Sequence, residues 1–102
     1  MAILYIDTSD TEKIIVEIDG LRVESESHQE KAQKLLEVIS QALTKKKIDL
    51  HDLTRVKVNT GPGSFTGLRV GISVANTLGW SLGIPVNGKN VIKDGPVEPI
   101  YS

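Results

Sequence analysis

The sequence lacks cysteine entirely and has only four aromatic residues among its 102 positions. Without cysteine the chain cannot form a disulfide, a thiolate zinc site or a thiol nucleophile. Its 12 basic and 13 acidic side chains nearly cancel, which leaves a net charge of -1. A free-standing nucleic-acid binder normally carries a basic excess, so this class is disfavoured. What remains is the composition of an ordinary globular protein.

Long hydrophobic runs are also missing from the sequence. No apolar stretch approaches the roughly 20 residues that a membrane-spanning helix needs, and the opening MAILYIDTSD contains no basic leader. We therefore expect a cytoplasmic protein that makes no contact with a membrane. The length suits a single small domain with one modest hydrophobic core.

The chain is predicted to consist of one domain and a tail. Residues 1–88 carry periodic segments separated by turn signals, as expected of one folded unit. Residues 89–102, KNVIKDGPVEPIYS, contain two prolines, a glycine and little periodicity. This composition predicts an extended or loose tail.

Three strands are predicted before the first helix. The run Ile3–Ile6 is apolar without interruption, which is typical of a strand covered on both faces, and Asp7 begins the turn that ends it. Further on, Asp19-Gly20 is a two-residue signal for a type I′ hairpin. Pairing across this turn places apolar residues opposite each other on one face and a charge pair on the other. The predicted pairs are Ile18 with Leu21, Val16 with Val23, and Glu17 with Arg22.

The first helix is predicted over residues 28–47. Ser27 and Glu30 have the spacing of a capping box, in which two side chains each accept a hydrogen bond from a backbone amide at the helix start. Apolar residues then recur at helical period on one face. They are Ala32, Leu35, Leu36, Ile39, Ala42 and Leu43.

A fourth strand and a second helix are predicted in the rest of the chain. Residues 55–59 alternate as a half-buried strand would. A helix is predicted from about residue 66 to 82, with Gly83 as its C-terminal stop, and a short last strand over 84–88. The element order βββαβα(β) indicates an α/β domain with a mixed sheet.

The segment GPGSFTGLRVG, residues 61–71, carries four glycines and leads directly into the second helix. It lacks the GxxxxGK[ST] spacing of a Walker loop and matches the dinucleotide pattern GxGxxG only weakly. It also lacks the GxSxG pattern of a nucleophile elbow, because Ser64 directly follows Gly63. A glycine turn at a helix N-terminus still exposes backbone amides that attract an anion or a carbonyl. The candidate contact residues are Gly61, Pro62, Gly63, Ser64, Phe65, Thr66 and Arg69.

A purely structural role for this loop stays open beside the binding role. Gly61 and Gly63 can serve the turn dihedrals alone, with Ser64 or Thr66 as the N-cap of the helix. Arg69, in the first turn of that helix, can form a surface ion pair or contact a partner protein. Neither alternative is decided by spacing.

The second helix carries a strip of small residues at four-residue intervals. Gly67, Gly71, Ala75 and Gly79 leave one side of the helix almost without side chains, which allows a partner helix to approach closely. Packing within the chain, against the first helix, is the alternative. We predict a partner interface on the two helices. It comprises Leu35, Ile39, Gly67, Leu68, Val70, Gly71, Val74 and Ala75.

GPGSFTGLR after a strand, the opening ILYIDTS and the helix QKLLEVISQAL together resemble the N-terminal domain of the TsaB family, also called YeaZ, over roughly residues 2–86. The resemblance implies an actin-like ATPase half-domain with the ribonuclease H-like fold, and we expect the usual second domain to be absent. It also implies a non-catalytic partner of a TsaD-like enzyme, which installs threonylcarbamoyl on the adenosine next to the tRNA anticodon. Pairing through the two helices, with TsaD or as a homodimer, is implied as well.

The resemblance also points to a vestigial phosphate site at Asp7, Thr8 and Ser9. The first phosphate loop of the superfamily has the pattern DxG, whereas Thr8-Ser9 follows Asp7 here. The glycine that lets a phosphate approach is missing. We therefore expect no ATP and no other cofactor.

No metal site and no catalytic residue are predicted. His28 and His51 do not have the HxxxH or HExxH spacing of ligands. Relatives in the resembled family often have a histidine shortly before the leucine pair of the first helix, where Lys31 stands here, and no ligand role is transferred to it. Ser64 has no assignable base, so a serine peptidase is not indicated.

The leading hypothesis is a partner subunit that docks on a TsaD-like enzyme and meets tRNA only through that complex. Two alternatives stay open. In the first, Asp7 and the loop over residues 61–66 form a nucleotide- or phosphate-binding half-site that a second chain completes. In the second, the chain is a self-associating homodimer without a role in tRNA modification.

Overall fold

A computed structural model describes residues 2–27 and 30–100 of the chain. Its four strands are β1 (Ala2–Asp7), β2 (Lys13–Ile18), β3 (Leu21–Glu26) and β4 (Leu53–Val58). They form one sheet in the order β3-β2-β1-β4, in which β1 is antiparallel to β2 and parallel to β4. A parallel pair needs a crossover connection, and the first helix lies within it. The predicted mixed sheet is confirmed.

The described helices are α1 (Lys31–Lys46), α2 (Phe65–Leu82) and the short α3 (Val91–Asp94), with a 3-10 turn (Leu50–Asp52) before β4. Helix α1 packs on β2 and β3, and α2 packs on β4 and β1. Buried side chains alternate along the strands, so the core lies between the helices and one face of the sheet. Its largest fully buried members include Leu4, Ile6, Ile14, Ile18, Leu35 and Leu68. None of the helices in the described part of the chain is long and apolar enough to cross a membrane.

The opposite face of the sheet is only partly covered. Ile3, Tyr5 and Ile15 are half-buried there, whereas Arg55 and Lys57 of β4 are exposed. The prediction that β1 is covered on both faces is therefore wrong for the described residues. An uninterrupted apolar run also fits a strand that has one buried and one half-buried face.

The hairpin between β2 and β3 forms in the predicted register. Asp19 and Gly20 make the turn with φ values of 44° and 90°, as a type I′ turn requires. The three predicted pairs all stand opposite each other: Ile18 with Leu21, Val16 with Val23, and Glu17 with Arg22. The last pair is joined across the strands by an ion pair of 4.0 Å.

Helix α2 begins one residue before its predicted start and ends at Leu82 as predicted. Ser64 is its N-cap, since the Ser64 hydroxyl oxygen accepts a hydrogen bond from the Gly67 amide at 3.2 Å. Gly83 closes the helix with a left-handed φ of 67°. These local signals are confirmed.

Helix α1 begins later than predicted. Its N-cap is Glu30, which makes no side-chain capping bond, and its first residue is Lys31. Ser27 is buried, and its amide donates to the Glu12 carbonyl oxygen at 2.8 Å. The predicted capping box is therefore wrong, because Ser27 belongs to the end of the sheet region rather than to the helix. Residues 28 and 29, including His28, lie outside the described residues.

The C-terminal part differs most from the prediction. The expected strand over 84–88 is reduced to single bridges from Val86 to Val56 and Lys89. The expected loose tail contains α3, whose Val91 is buried. Residues 96–100, which we call the strap, continue from there along α2 to the glycine loop. The tail is not loose over the described residues, because hydrogen bonds fix it at both ends and in the middle.

Candidate functional site

Asp7 ends β1 at the place where the resemblance implied a vestigial phosphate site. Its Oδ1 accepts hydrogen bonds from the Ser9 amide at 3.0 Å, the Ser9 hydroxyl at 2.7 Å and the Asn59 amide nitrogen at 3.2 Å. The Tyr5 hydroxyl lies 3.4 Å from Oδ2. The carboxylate thus caps its own turn and ties the end of β1 to the end of β4.

These contacts determine the acidity of Asp7. Burial raises the pKa of the Asp7 carboxyl, but hydrogen bonds from Ser9, Asn59 and Tyr5 outweigh burial and hold the pKa below its usual value. The folded chain therefore binds this proton less readily than the unfolded chain does. The stability contributed by Asp7 is fully present above the unfolded pKa of about 3.9 and is lost as the pH falls through the folded value.

We expect Asp7→Asn to reduce the dependence of the free energy of unfolding on pH in the acid range. The variant should be about 1 kcal/mol less stable than the parent at neutral pH, because charge-assisted hydrogen bonds are lost. This gap should close as the pH falls below the unfolded value of about 3.9 and through the lowered pKa of Asp7. Urea unfolding across that range measures it, with Asp94→Asn on exposed α3 as the control. A gap that stays constant with pH would contradict the prediction.

Thr8 follows Asp7 but points into the core, where it is fully buried. Its hydroxyl donates to the Gly67 carbonyl oxygen at 2.6 Å and accepts from the Gly71 amide at 3.1 Å. These two backbone groups lie one helical turn apart in α2. A single hydroxyl therefore joins the end of β1 to the first two turns of α2, which is a structural role.

The small-residue strip of α2 packs against this joint. A Cβ atom on Gly67 would meet the Thr8 carbonyl oxygen, one on Gly71 would meet the Thr8 hydroxyl, and one on Gly79 would meet the Val86 side chain. Glycine at these positions lets the helix approach the sheet closely. The alternative of packing within the chain is therefore correct for the strip, with the end of β1 and Val86 as its nearest contacts and Lys31 of α1 beside Gly67.

The predicted partner interface is mostly buried for the same reason. Six of its eight residues lie in the core of the chain: Leu35, Ile39, Gly67, Leu68, Gly71 and Ala75. Only Val70 and Val74 are half-buried, on one flank of α2. The prediction of a contact surface therefore remains for these two valines, because a buried residue cannot reach another chain.

The glycine loop holds the chain's own backbone. The Ser64 amide donates to the Ser9 carbonyl oxygen at 2.8 Å, and the Gly61 amide donates to Asn59 Oδ1 at 3.0 Å. A Cβ atom on Gly63 would lie 2.6 Å from the Ser9 Cβ. The loop and the turn after β1 are therefore in direct contact.

The positions of Ser9 and Asp7 disfavour a nucleotide phosphate at this end of the sheet. Ser9 packs against the loop where an approaching phosphate would need space, and the Asp7 carboxylate already accepts three hydrogen bonds on one oxygen. A carboxylate would also repel a phosphate in the absence of a metal. The arrangement disfavours the alternative of a phosphate-binding half-site.

Lys31 ties the start of α1 to the turn after β1. Its Nζ donates to the carbonyl oxygens of Asp10 and Thr11. Burial lowers the pKa of Lys31, against the opposing attraction of Asp10 and Asp7. Within residues 2–27 and 30–100, no three His, Asp or Glu side chains are grouped so that they could hold a metal ion.

The outer side of α2 forms the floor of an open groove of about 1020 Å³, which we call the α2 groove. Its floor carries the small hydroxyl residues Thr66, Ser73 and Thr77, all of them exposed. The Thr77 hydroxyl donates back to the Ser73 carbonyl oxygen at 2.9 Å. The floor is therefore shallow and polar at its centre.

Two different elements wall the α2 groove. Positions 74 and 76 of a helix project about 200° apart, so Val74 and Asn76 lie on opposite flanks of α2. Gly67 lies on the same flank of α2 as Val74 and packs close to Lys31 of α1. Ala32, the next residue of α1, also lines the groove. The Asn76 flank is bonded to the strap through two hydrogen bonds. Helix α1 and the strap therefore stand on the two sides of the α2 floor.

Two opposite charges line the α2 groove. The Arg69 guanidinium lies over the Phe65 ring, 5.4 Å from its centroid, and Glu98 belongs to the strap wall. Neither residue forms an ion pair with another described residue. Phe65, Thr66 and Arg69 were predicted from the sequence, whereas the hydroxyl floor and the strap were not. The spacing of residues 66, 73 and 77 could have revealed the floor, whereas nothing local pointed to the strap.

A family model described as TsaD: tRNA N6-adenosine threonylcarbamoyltransferase matches residues 10–92. The tRNA threonylcarbamoyladenosine biosynthesis protein TsaB of Bacillus subtilis is 39% identical over 59 residues, which cover 49% of this chain and 26% of that relative. TsaB of Buchnera aphidicola is 46% identical over 55 residues, which cover 54% of this chain and 26% of that relative. The matched segments therefore cover about a quarter of the length of these relatives.

Solved structures give the same result for the fold. YeaZ from Pseudomonas aeruginosa superposes with a TM-score of 0.77 at 30% sequence identity, over 84% of this chain and 43% of YeaZ. This superposition confirms the predicted fold class. The chain belongs to the family that the matching model describes, and the relatives and the solved structure named here are TsaB and YeaZ proteins.

Proposed function

We propose that this chain is a non-catalytic partner subunit that docks on a TsaD-like enzyme during threonylcarbamoylation of the adenosine next to the tRNA anticodon. Two curated relatives are named as tRNA threonylcarbamoyladenosine biosynthesis proteins, and the matching family model is named for the transferase. In this role the chain works in the cytoplasm and meets tRNA only through the complex.

The observation that carries this proposal is the α2 groove. Helix α2 buries its glycine side in the chain's own core and leaves Ser73 and Thr77 exposed between two walls. Small side chains on an exposed helix let a second helix approach closely. Val70 and Val74 add apolar surface on one flank. The groove therefore has the shape and chemistry of a seat for a partner helix.

The non-catalytic part of the proposal is supported by how the reactive side chains are used. The Asp7 carboxylate caps its own turn, and the Ser64 hydroxyl oxygen caps α2. His51 lies on the surface with Asp49, 3.6 Å from its carboxylate. These groups therefore serve the fold and do not converge on one point.

Binding of the purified chain to the TsaD-like enzyme of the same organism tests the proposal. Calorimetry should detect a one-to-one complex with the parent chain. Ser73→Arg should weaken that complex at least about 30-fold, the size of a hot-spot loss, because a long side chain would fill the centre of the floor.

Ser81→Arg is the matched control, because Ser81 is an exposed serine of the same helix that does not line the groove. It should bind like the parent. Absence of binding by the parent chain would refute the docking function itself. Equal binding by the parent and Ser73→Arg would instead show that the interface with the enzyme lies outside the groove.

A further inference from the structure

One side chain of α2 hydrogen-bonds to the backbone of the strap, as the backbone of a neighbouring β-strand would. The Asn76 side-chain nitrogen donates to the Val97 carbonyl oxygen at 2.8 Å, and the Val97 amide donates to Asn76 Oδ1 at 2.9 Å. This reciprocal pair satisfies both backbone groups of Val97. Asn76 is therefore a latch for the centre of the strap.

Further contacts fix the two ends of the strap. The Lys89 ammonium donates to the Pro96 carbonyl oxygen at 3.1 Å, and the Ile100 amide donates to the Thr60 carbonyl oxygen at 2.7 Å. Gly61 has no room for a side chain because the Ile100 carbonyl oxygen lies against it. A segment held at three points is ordered before any partner arrives, so it loses little conformational entropy on binding.

The strap also forms part of the surface that the proposed partner would meet. Residues 96–99 line the α2 groove together with Ser73 and Thr77 of its floor. A helix seated on the floor would lie between Ala32 of α1 and the strap, since both line the groove. The strap is therefore placed to touch the occupant.

The charges in the groove specify the kind of occupant. Arg69 projects from α2 on the flank that also carries Asn76, Glu98 lies in the strap, and neither is paired within the described residues. An occupant with the opposite arrangement would pair both charges, whereas one with the same arrangement would be repelled. The groove therefore favours a helix with an acidic side chain facing Arg69 and a basic side chain facing Glu98.

Resting on the proposed function, we propose that the strap is a wall of the partner's seat, latched by Asn76, and that Arg69 and Glu98 select a partner helix of complementary charge. The occupant is a helix of the TsaD-like enzyme. The strap then adds to the binding surface and does not block it.

Charge reversals test this proposal without disturbing the core, because both residues are exposed. Arg69→Glu and Glu98→Lys should each weaken binding to the TsaD-like enzyme about tenfold, with a stronger effect at low salt. Arg55→Glu and Glu26→Lys are matched controls of equal charge change outside the groove, and they should bind like the parent. Asn76→Ala should also weaken binding, since it releases the centre of the strap.

The outcomes separate this proposal from the docking function. If the parent binds and Ser73→Arg abolishes binding while Glu98→Lys and Asn76→Ala change nothing, the docking function stands and the strap proposal is overturned. Tighter binding by Asn76→Ala would also overturn it, because the strap would then be an inhibitory cover.

The experiment must also distinguish a helix of the enzyme from a second copy of the chain as the occupant of the α2 groove. In a twofold dimer Arg69 of one copy would pair with Glu98 of the other, so the double swap Arg69→Glu with Glu98→Arg would restore self-association. Light scattering would detect this restoration, and it would overturn the assignment to the enzyme. Persistent loss of enzyme binding in the double variant, without self-association, agrees with the proposal.

Discussion

Replacing Gly71 with leucine is expected to unfold the domain. The new Cβ would meet the Thr8 hydroxyl and would lie 3.3 Å from Ile6 Cγ2, and both residues are fully buried. Three further carbon atoms would then have to enter the same space. Overpacking of a close-packed core costs about 1–3 kcal/mol for small insertions and more for large ones. A small domain with a total stability of about 5 kcal/mol does not survive such a change.

Gly71→Ala adds only the Cβ atom, so this variant should still fold and its loss of stability can be measured. Its stability should fall by about 2 kcal/mol, even though alanine favours a helix by about 1 kcal/mol over glycine. Urea unfolding followed by circular dichroism measures the change. Ser73→Leu, on the exposed side of the same helix, should shift stability by about 0.5 kcal/mol or less. A folded Gly71→Leu that lost only partner binding would make the glycine strip a partner seam after all.

Thr8→Val is expected to remove about 1–2 kcal/mol of stability with almost no change in shape. Valine matches threonine in volume but cannot donate to the Gly67 carbonyl oxygen or accept from the Gly71 amide. The Gly67 carbonyl and the Gly71 amide are an i and i+4 pair of α2 and can still bond each other, so what is lost is the hydrogen-bonded link between the end of β1 and the helix. Thermal and urea unfolding should both report the loss.

Two companion variants isolate the hydroxyl. Thr8→Ser keeps the hydroxyl and should recover most of the stability lost in Thr8→Val. Thr77→Val makes the same chemical change at an exposed position where the hydroxyl bonds only within its own helix, so it should cost less than about 0.5 kcal/mol. Equal losses from Thr8→Val and Thr77→Val would show that the buried joint does not stabilise the fold.

The elements that depend on neighbouring residues could be predicted from the sequence. Asp19-Gly20 defined the hairpin and its register, Ser64 capped α2, and Gly83 ended it. Each of these signals acts within a few residues, because turn dihedrals and capping hydrogen bonds are local. The capping box at Ser27 failed because a longer-range contact with Glu12 holds that residue in the sheet region.

The orientation of α2 could not be predicted in the same way. Its composition offers small or apolar residues over much of its circumference, so periodicity alone left two sides that could face the sheet. The choice depends on Thr8, which is 59 residues from its acceptor Gly67. Once the glycines face Thr8, the hydroxyl residues at 66, 73 and 77 must face outward. The candidate site therefore lies on the hydroxyl side of α2, opposite to the glycine strip that was predicted as the interface.

The sequence by itself determined the hairpin register, the extent of α2, the mixed α/β order and the family to which the chain belongs. Only the tertiary structure decided which side of α2 is accessible and that residues 96–100 form a wall beside it. The strap depends on Asn76 and Val97, which are 21 residues apart and lie in segments with no shared pattern. Local patterns report the conformation of a segment, whereas its neighbours in space are chosen by close packing and by pairing of polar groups across the whole chain.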